Sequence, residues 1–185
     1  MCEKHVAIIL ADGFEDLEAV VTMDVLTRLG VNVTAVGLSG IEVRAANKLV
    51  LLADTVLNKM NFATMDCIIL PGGMEGMRNL KGSVRLREEL INFYNAGKLL
   101  AAICAGPIVL SEAGLLAGKN FTGYPGLEAY YRADKPNGKL VCCDRRIVTG
   151  LGPGATFAFA SEIAGQLGLA PEAAHLYEKG MFVKL

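Results

Sequence analysis

Few residues in this chain carry chemistry, and they come in three short stretches. In AAICAGP (101–107) a run of small apolar residues reaches Cys104 and breaks at Gly106-Pro107. That break marks a buried strand turning into a helix. A thiol at a helix N-terminus has a lowered pKa and more thiolate at neutral pH. A strand–nucleophile–helix turn is also the geometry of a hydrolase nucleophile elbow. Ala102, Ala105 and Gly106 are small enough to permit it. In LPGG (70–73), Pro71 precedes Gly72-Gly73, a sharp turn with no side chain over the backbone. Exposed amides of that kind donate to an oxyanion. The Ala105 backbone, next to the thiol, joins Gly72 and Gly73 in this set. The third stretch, GFEDLEAV (13–20), brings Glu15, Asp16 and Glu18 into a first helical turn. Acids are favoured there by the free amides and the helix dipole.

The histidine count narrows the chemistry. Cysteine proteases and amidotransferases usually need a histidine base beside the thiol. This chain has two, His5 and His175. His5 starts the first strand, roughly 20 Å from the opposite edge at 3.3 Å per residue. His175 falls in the last helix, where a packing or solvated role is the ordinary one. Either another chain supplies the base or a carboxyl group does. Glu18 is the candidate, because a protonated carboxyl can hydrogen-bond a thiolate and shuttle protons.

Alternating elements must position these groups. HVAIILA (5–11), VNVTAVGL (31–38), VLLAD (50–54), CIILPGG (67–73) and KLLAAIC (98–104) read as strands, and KLVCCDRRIVTG (139–150) as one or two more. EDLEAVVTMDVLTRLG (15–30) has helical spacing closed by Gly30. SVRLREELINFYNAG (83–97), PIVLSEAG (107–114), ATFAFASEIAGQLG (155–168) and PEAAHLYEKG (171–180) read as helices. Strands alternating with helices imply a mostly parallel sheet covered on both faces. Its site lies at the carboxyl ends of the strands. Cys104, Glu18 and Gly72-Gly73 then meet on one edge.

The 185 residues fit one domain, 1–185, with no repeat or linker dividing it. A net charge of −1 gives no sign of nucleic acid or an anionic membrane as partner. No apolar run reaches the length of a membrane span. The N-terminus reads as a strand and not a leader, which points to the cytoplasm. The five cysteines, Cys2, Cys67, Cys104, Cys142 and Cys143, are odd in number and not spaced for zinc. They read as reduced thiols, with Cys67, Cys142 and Cys143 as small buried hydrophobes. No metal or cofactor is implied. GLGPGA (150–155) lacks the Lys-Ser/Thr of a phosphate loop and reads as a glycine-rich entry to the next helix.

GFEDLEAV, LPGG, AAICAGP and GPGATFAFA (152–160), in this order and spacing, resemble the DJ-1/PfpI (ThiJ/PfpI) superfamily and its DJ-1-like subgroup across nearly the whole chain. The resemblance implies a flavodoxin-like three-layer α/β/α sandwich, usually a homodimer. It makes Cys104 the oxidation-prone cysteine, Glu18 its hydrogen-bonding acid, and Gly72 and Gly73 the glycines facing the site. Arg28 matches an arginine that approaches the partner subunit's site. Tyr124 stands in TGYPGLE (122–128) where many members have histidine, and Asn47 where an arginine is common. The implied activity is a cofactor-independent glyoxalase or deglycase acting on methylglyoxal or related carbonyls. The alternatives are a peroxide-sensing redox protein or chaperone acting through Cys104 and, more weakly, a PfpI-type peptidase or amidase.

Overall fold

The computed structural model describes residues 3–184. Its centre is β1 (His5–Leu10), whose Val6–Leu10 are buried on both faces of the sheet. Each of the Val, Ile and Leu side chains contributes about 1.5–3 kcal/mol through lost water contact. β2 (Asn32–Gly37) runs parallel to β1 on one side and β6 (Cys67–Leu70) on the other. β7 (Leu99–Ile103) is parallel to β6, and β9 (Ile147–Gly150) to β7. β8 (Val141–Asp144) closes that edge antiparallel to β9. β5 (Thr55–Val56) closes the far edge beside β2, giving the order β5-β2-β1-β6-β7-β9-β8.

Helices cover both faces. α1 (Asp16–Arg28) packs with α5 (Thr156–Gln166) and α6 (Ala170–His175) on one side. α2 (Met74–Gly82), α3 (Val84–Asn95) and α4 (Pro107–Glu112) pack together on the other. The result is the flavodoxin-like three-layer sandwich with a mostly parallel sheet. No helix among the described residues is long and apolar enough to cross a membrane.

Several local expectations need correction. The stretch 50–54 does not add a third strand to the main sheet. β4 (Val50–Leu52) instead pairs antiparallel with β3 (Glu42–Arg44) in a separate arm. Asp54 explains the break: its Oδ2 accepts from the Ala35 amide at 2.8 Å and so ties the chain to β2. The strand at 67–73 ends at Leu70, and 74–82, left without an element by the sequence reading, is α2. The last helix stops at His175 and widens into a π-type turn over Leu176–Met181. Cys67, Cys104, Cys142 and Cys143 are unpaired, while Cys2 lies outside the described residues. Of these, Cys142 is half-buried and Cys143 exposed on the edge strand, not packed as core residues.

Candidate active site

The site forms where β1, β6 and β7 end side by side. Cys104 follows β7 directly and adopts φ +63°, the left-handed region that a side chain disfavours. Such a conformation costs on the order of 1–3 kcal/mol and persists only where the surroundings enforce it. Here they do. The Cys104 amide donates to Gly150 O at the end of β9 at 2.9 Å, and its carbonyl accepts from the Tyr124 amide at 2.9 Å. Pro107 then opens α4, its missing N–H costing nothing at that position. The elbow read from the sequence is thus present, and Cys104 is 8% exposed at its apex.

Glu18 reaches the thiol from the first turn of α1. It is 1% exposed, so it is not an ordinary solvated helix-start acid. Its Oε2 accepts from the Gly72 amide at 2.7 Å, and the carboxyl lies within hydrogen-bonding reach of the Cys104 thiol. A β-carbon on Gly72 would fall 2.6 Å from Cys104 Cβ, 2.7 Å from Glu18 Oε2 and 2.9 Å from Cys104 Sγ. Only glycine fits between the acid and the thiol.

That contact redistributes the expected oxyanion donors. The Gly72 amide is engaged by Glu18. The amides that favour negative charge on the Cys104 sulphur are those of Gly73 and Ala105.

The electrostatics depart from the helix-terminus expectation. Burial, then the charge and hydrogen bond of Glu18, push the Cys104 thiol up to about 12, against the pull of the Gly73 and Ala105 amides. α4 is only six residues long, too short a dipole to reverse this. Burial likewise raises Glu18 to about 7, opposed by its bonds to Gly72 and Cys104. The two groups are coupled: the pair loses its first proton near pH 7 and keeps the second mainly on the sulphur. With that proton on Glu18, the carboxyl is a donor to the thiolate.

Three positions singled out from the sequence have side chains with contacts other than the thiol. Arg28 sits at the other end of α1, about 15 Å along the axis from Glu18 at 1.5 Å per residue. Its Nε donates to Asp24 Oδ2 at 2.8 Å, and it lines a groove with His175. Asn47 bonds the start of α1, its amide donating to Asp16 Oδ2 at 3.2 Å. Tyr124 is half-exposed, its ring over Gly152 in a groove of about 460 Å³ formed with Leu140, Leu151 and Pro153. Neither histidine joins Cys104, because His5 begins β1 and His175 ends α6.

One neighbour escaped the sequence reading. Tyr131 is buried, its phenol is pushed far up by burial and then by the charge of Cys104, and its hydroxyl has no partner. Nothing in GLEAYYRAD marked one tyrosine over the other.

The DJ-1/PfpI family model matches residues 4–166. The chain belongs to the DJ-1/PfpI family. Protein dj-1beta of Drosophila melanogaster is 36% identical over 170 residues, covering 89% of each chain. A Caenorhabditis elegans relative named glutathione-independent glyoxalase DJR-1.2 is 34% identical over 170 residues, again 89% of each. Among solved structures, Drosophila melanogaster DJ-1beta superposes with a TM-score of 0.91 at 33% identity, covering 99% of this chain and 100% of that one. Oxidized Toxoplasma gondii DJ-1 does so at 0.89 and 32%, covering 95% and 97%.

Proposed function

We propose that the protein is a cofactor-independent glyoxalase of the deglycase type, acting on methylglyoxal or related reactive carbonyls through Cys104. The observation that carries this reading is the buried Glu18 carboxyl, held by the Gly72 amide beside the Cys104 thiol. The relative named a glutathione-independent glyoxalase supports the same assignment.

The Cys104 sulphur adds to the aldehyde carbon, and the carbonyl oxygen gains a proton as the hemithioacetal forms. The Gly73 and Ala105 amides face the developing oxyanion. Glu18 takes the proton from C1 and returns it to C2 through an enediol. C1 is thereby oxidised and C2 reduced within one molecule, leaving a lactoyl thioester. Water cleaves its C–S bond and releases lactate and the free thiol.

The working form is a homodimer in the cytoplasm. Unpaired thiols suit a reducing compartment. Leu17, Val20 and Leu49 are 40–45% exposed and line one surface groove with Asn47, an apolar face suited to a second copy. Arg28 would then approach the partner subunit's site.

The test is lactate formation from methylglyoxal without glutathione. Wild type turns over, Cys104→Ala does not, and Glu18→Gln loses about 100-fold or more. Unchanged turnover in Glu18→Gln overturns the mechanism.

A second reading, a peroxide sensor or stress chaperone, is favoured by the same donors. Two amides and a carboxylic acid around one sulphur would hold the oxygens of a sulfinate. Peroxide titration followed by intact mass tests it, and oxygen addition that is not selective for Cys104 counts against it.

A further inference from the structure

Three buried side-chain oxygens among the described residues have no hydrogen-bond partner: Glu18 Oε1, Thr22 Oγ1 and the Tyr131 hydroxyl. Of these, Tyr131 senses the charge of Cys104, while Glu18 interacts with the thiol through its carboxyl. Tyr131 is 9% exposed. Its ring packs on Phe121 at a centroid distance of 5.1 Å, a contact that phenylalanine would make equally well. Leaving a buried hydroxyl unpaired costs about 1–3 kcal/mol. Packing alone therefore gives no account of the oxygen.

The surroundings show where that oxygen stands. A β-carbon on Gly123 would overlap the Tyr131 hydroxyl and would lie 3.3 Å from Cys104 O. Gly123 thus lies between the phenol and the backbone of the elbow, and its missing side chain leaves room for the hydroxyl. Both sides of this arrangement are fixed. Thr122 donates its amide to Thr149 Oγ1 at 2.9 Å and its hydroxyl to Lys139 O at 2.6 Å. The Tyr124 amide bonds Cys104 O. The Arg132 amide, next after Tyr131, donates to Ser111 Oγ in α4 at 2.8 Å, and α4 is the helix that leaves the elbow.

We propose that Tyr131 is a further binding residue of the Cys104 site, whose phenol O–H donates a hydrogen bond to an oxygen of the group bonded to the Cys104 sulphur. In a 2-oxoaldehyde adduct this is the C2 oxygen, the one not facing the Gly73 and Ala105 amides. In an oxidised thiol it is a sulfinate oxygen. The role rests on Cys104 being the reacting thiol, as proposed above. It makes a second oxygen on the adduct a determinant of substrate choice.

Tyr131→Phe keeps the ring and removes only the oxygen. The variant is expected to equal or exceed wild type in thermal midpoint when reduced, since no hydrogen bond is lost and an unpaired buried hydroxyl is removed. Two readouts test the role. With methylglyoxal, kcat falls about tenfold at unchanged KM, the size of one hydrogen bond. With peroxide, conversion of Cys104 to sulfinate is expected to raise the thermal midpoint of wild type, and Tyr131→Phe to lose that rise. A variant equal to wild type in both measurements overturns the role. So does a reduced-state midpoint lowered in step with activity, which marks the hydroxyl as structural. If wild type shows neither Cys104-dependent lactate nor oxygen addition at Cys104, the function proposed for the site falls and Tyr131's role falls with it. Cys104 chemistry that is indifferent to Tyr131→Phe removes the role of Tyr131 alone.

Discussion

The Gly72 amide donates to Glu18 Oε2 at 2.7 Å, so the turn that crowds the thiol also holds the acid. The sheet brings the ends of β1 and β6 together, and this bond converts their proximity into a fixed Glu18–Cys104 geometry.

Gly72→Ala is expected to break that geometry. The new methyl would meet Cys104 Cβ at 2.6 Å and Glu18 Oε2 at 2.7 Å. Overpacking of this kind costs about 1–3 kcal/mol. Urea unfolding should show the loss, and labelling of Cys104 by iodoacetamide should change in rate. An unaltered midpoint and labelling rate would show that the turn can yield.

Glu18 makes stability depend on pH with a definite sign. Its folded pKa is raised from 4.5 to about 7, so the native state holds this proton longer than the unfolded chain. The contribution is fully present below 4.5 and is lost as pH rises through about 7. At 1.36 kcal/mol per pKa unit the loss is at most ~3 kcal/mol. Glu18→Gln carries no such proton, so between pH 5 and 8 its stability should fall less than that of wild type. Parallel stability curves for the two proteins would refute this.

Turnover should follow the same ionisation. The singly protonated pair forms as pH rises through about 7, and transfer of its proton from the sulphur to Glu18 gives the thiolate beside a carboxylic acid. For wild type, kcat/KM on methylglyoxal should rise towards pH 7 and then level off. In Glu18→Gln the inflection should move up towards the ionisation of the thiol itself. An inflection near 7 that persists in Glu18→Gln would assign it to another group.

The apolar face on α1 gives a separate expectation. Leu17→Glu places a charge beside Val20 and Leu49, whose groove also holds Asp16. Sedimentation should show a dimer for wild type and a monomer for the variant. A dimer that survives the change must use another face.

The parts legible in the sequence were those written in local residue types. AAICAGP and LPGG each specify a turn through small residues, and both turns are where the spacing put them. Glu18 was legible as an acid but not as a buried one, because helix-start acids and site acids look alike in sequence. The lowered thiol pKa expected at Cys104 was overruled by burial beside a carboxyl, a tertiary effect absent from any single stretch. The apolar run Val50–Leu52 suggested a sheet strand, yet Val50 and Leu52 are 39% and 71% exposed on the β3–β4 arm. Apolarity alone does not say which partner a strand will find. α2 was missed because Gly76 and Gly82 weaken its helical signal. Tyr131 had no signal at all, since its significance depends on an absent side chain at Gly123.

Both backbone bonds that hold Cys104 come from residues made later in the chain, Tyr124 and Gly150. During synthesis the thiol leaves the ribosome well before either anchor does. A nascent chain cut short of Gly150 has the sequence of the elbow without its conformation. The reactive group is therefore armed late, after most of the polypeptide around it exists, and truncated products carry an ordinary cysteine in its place.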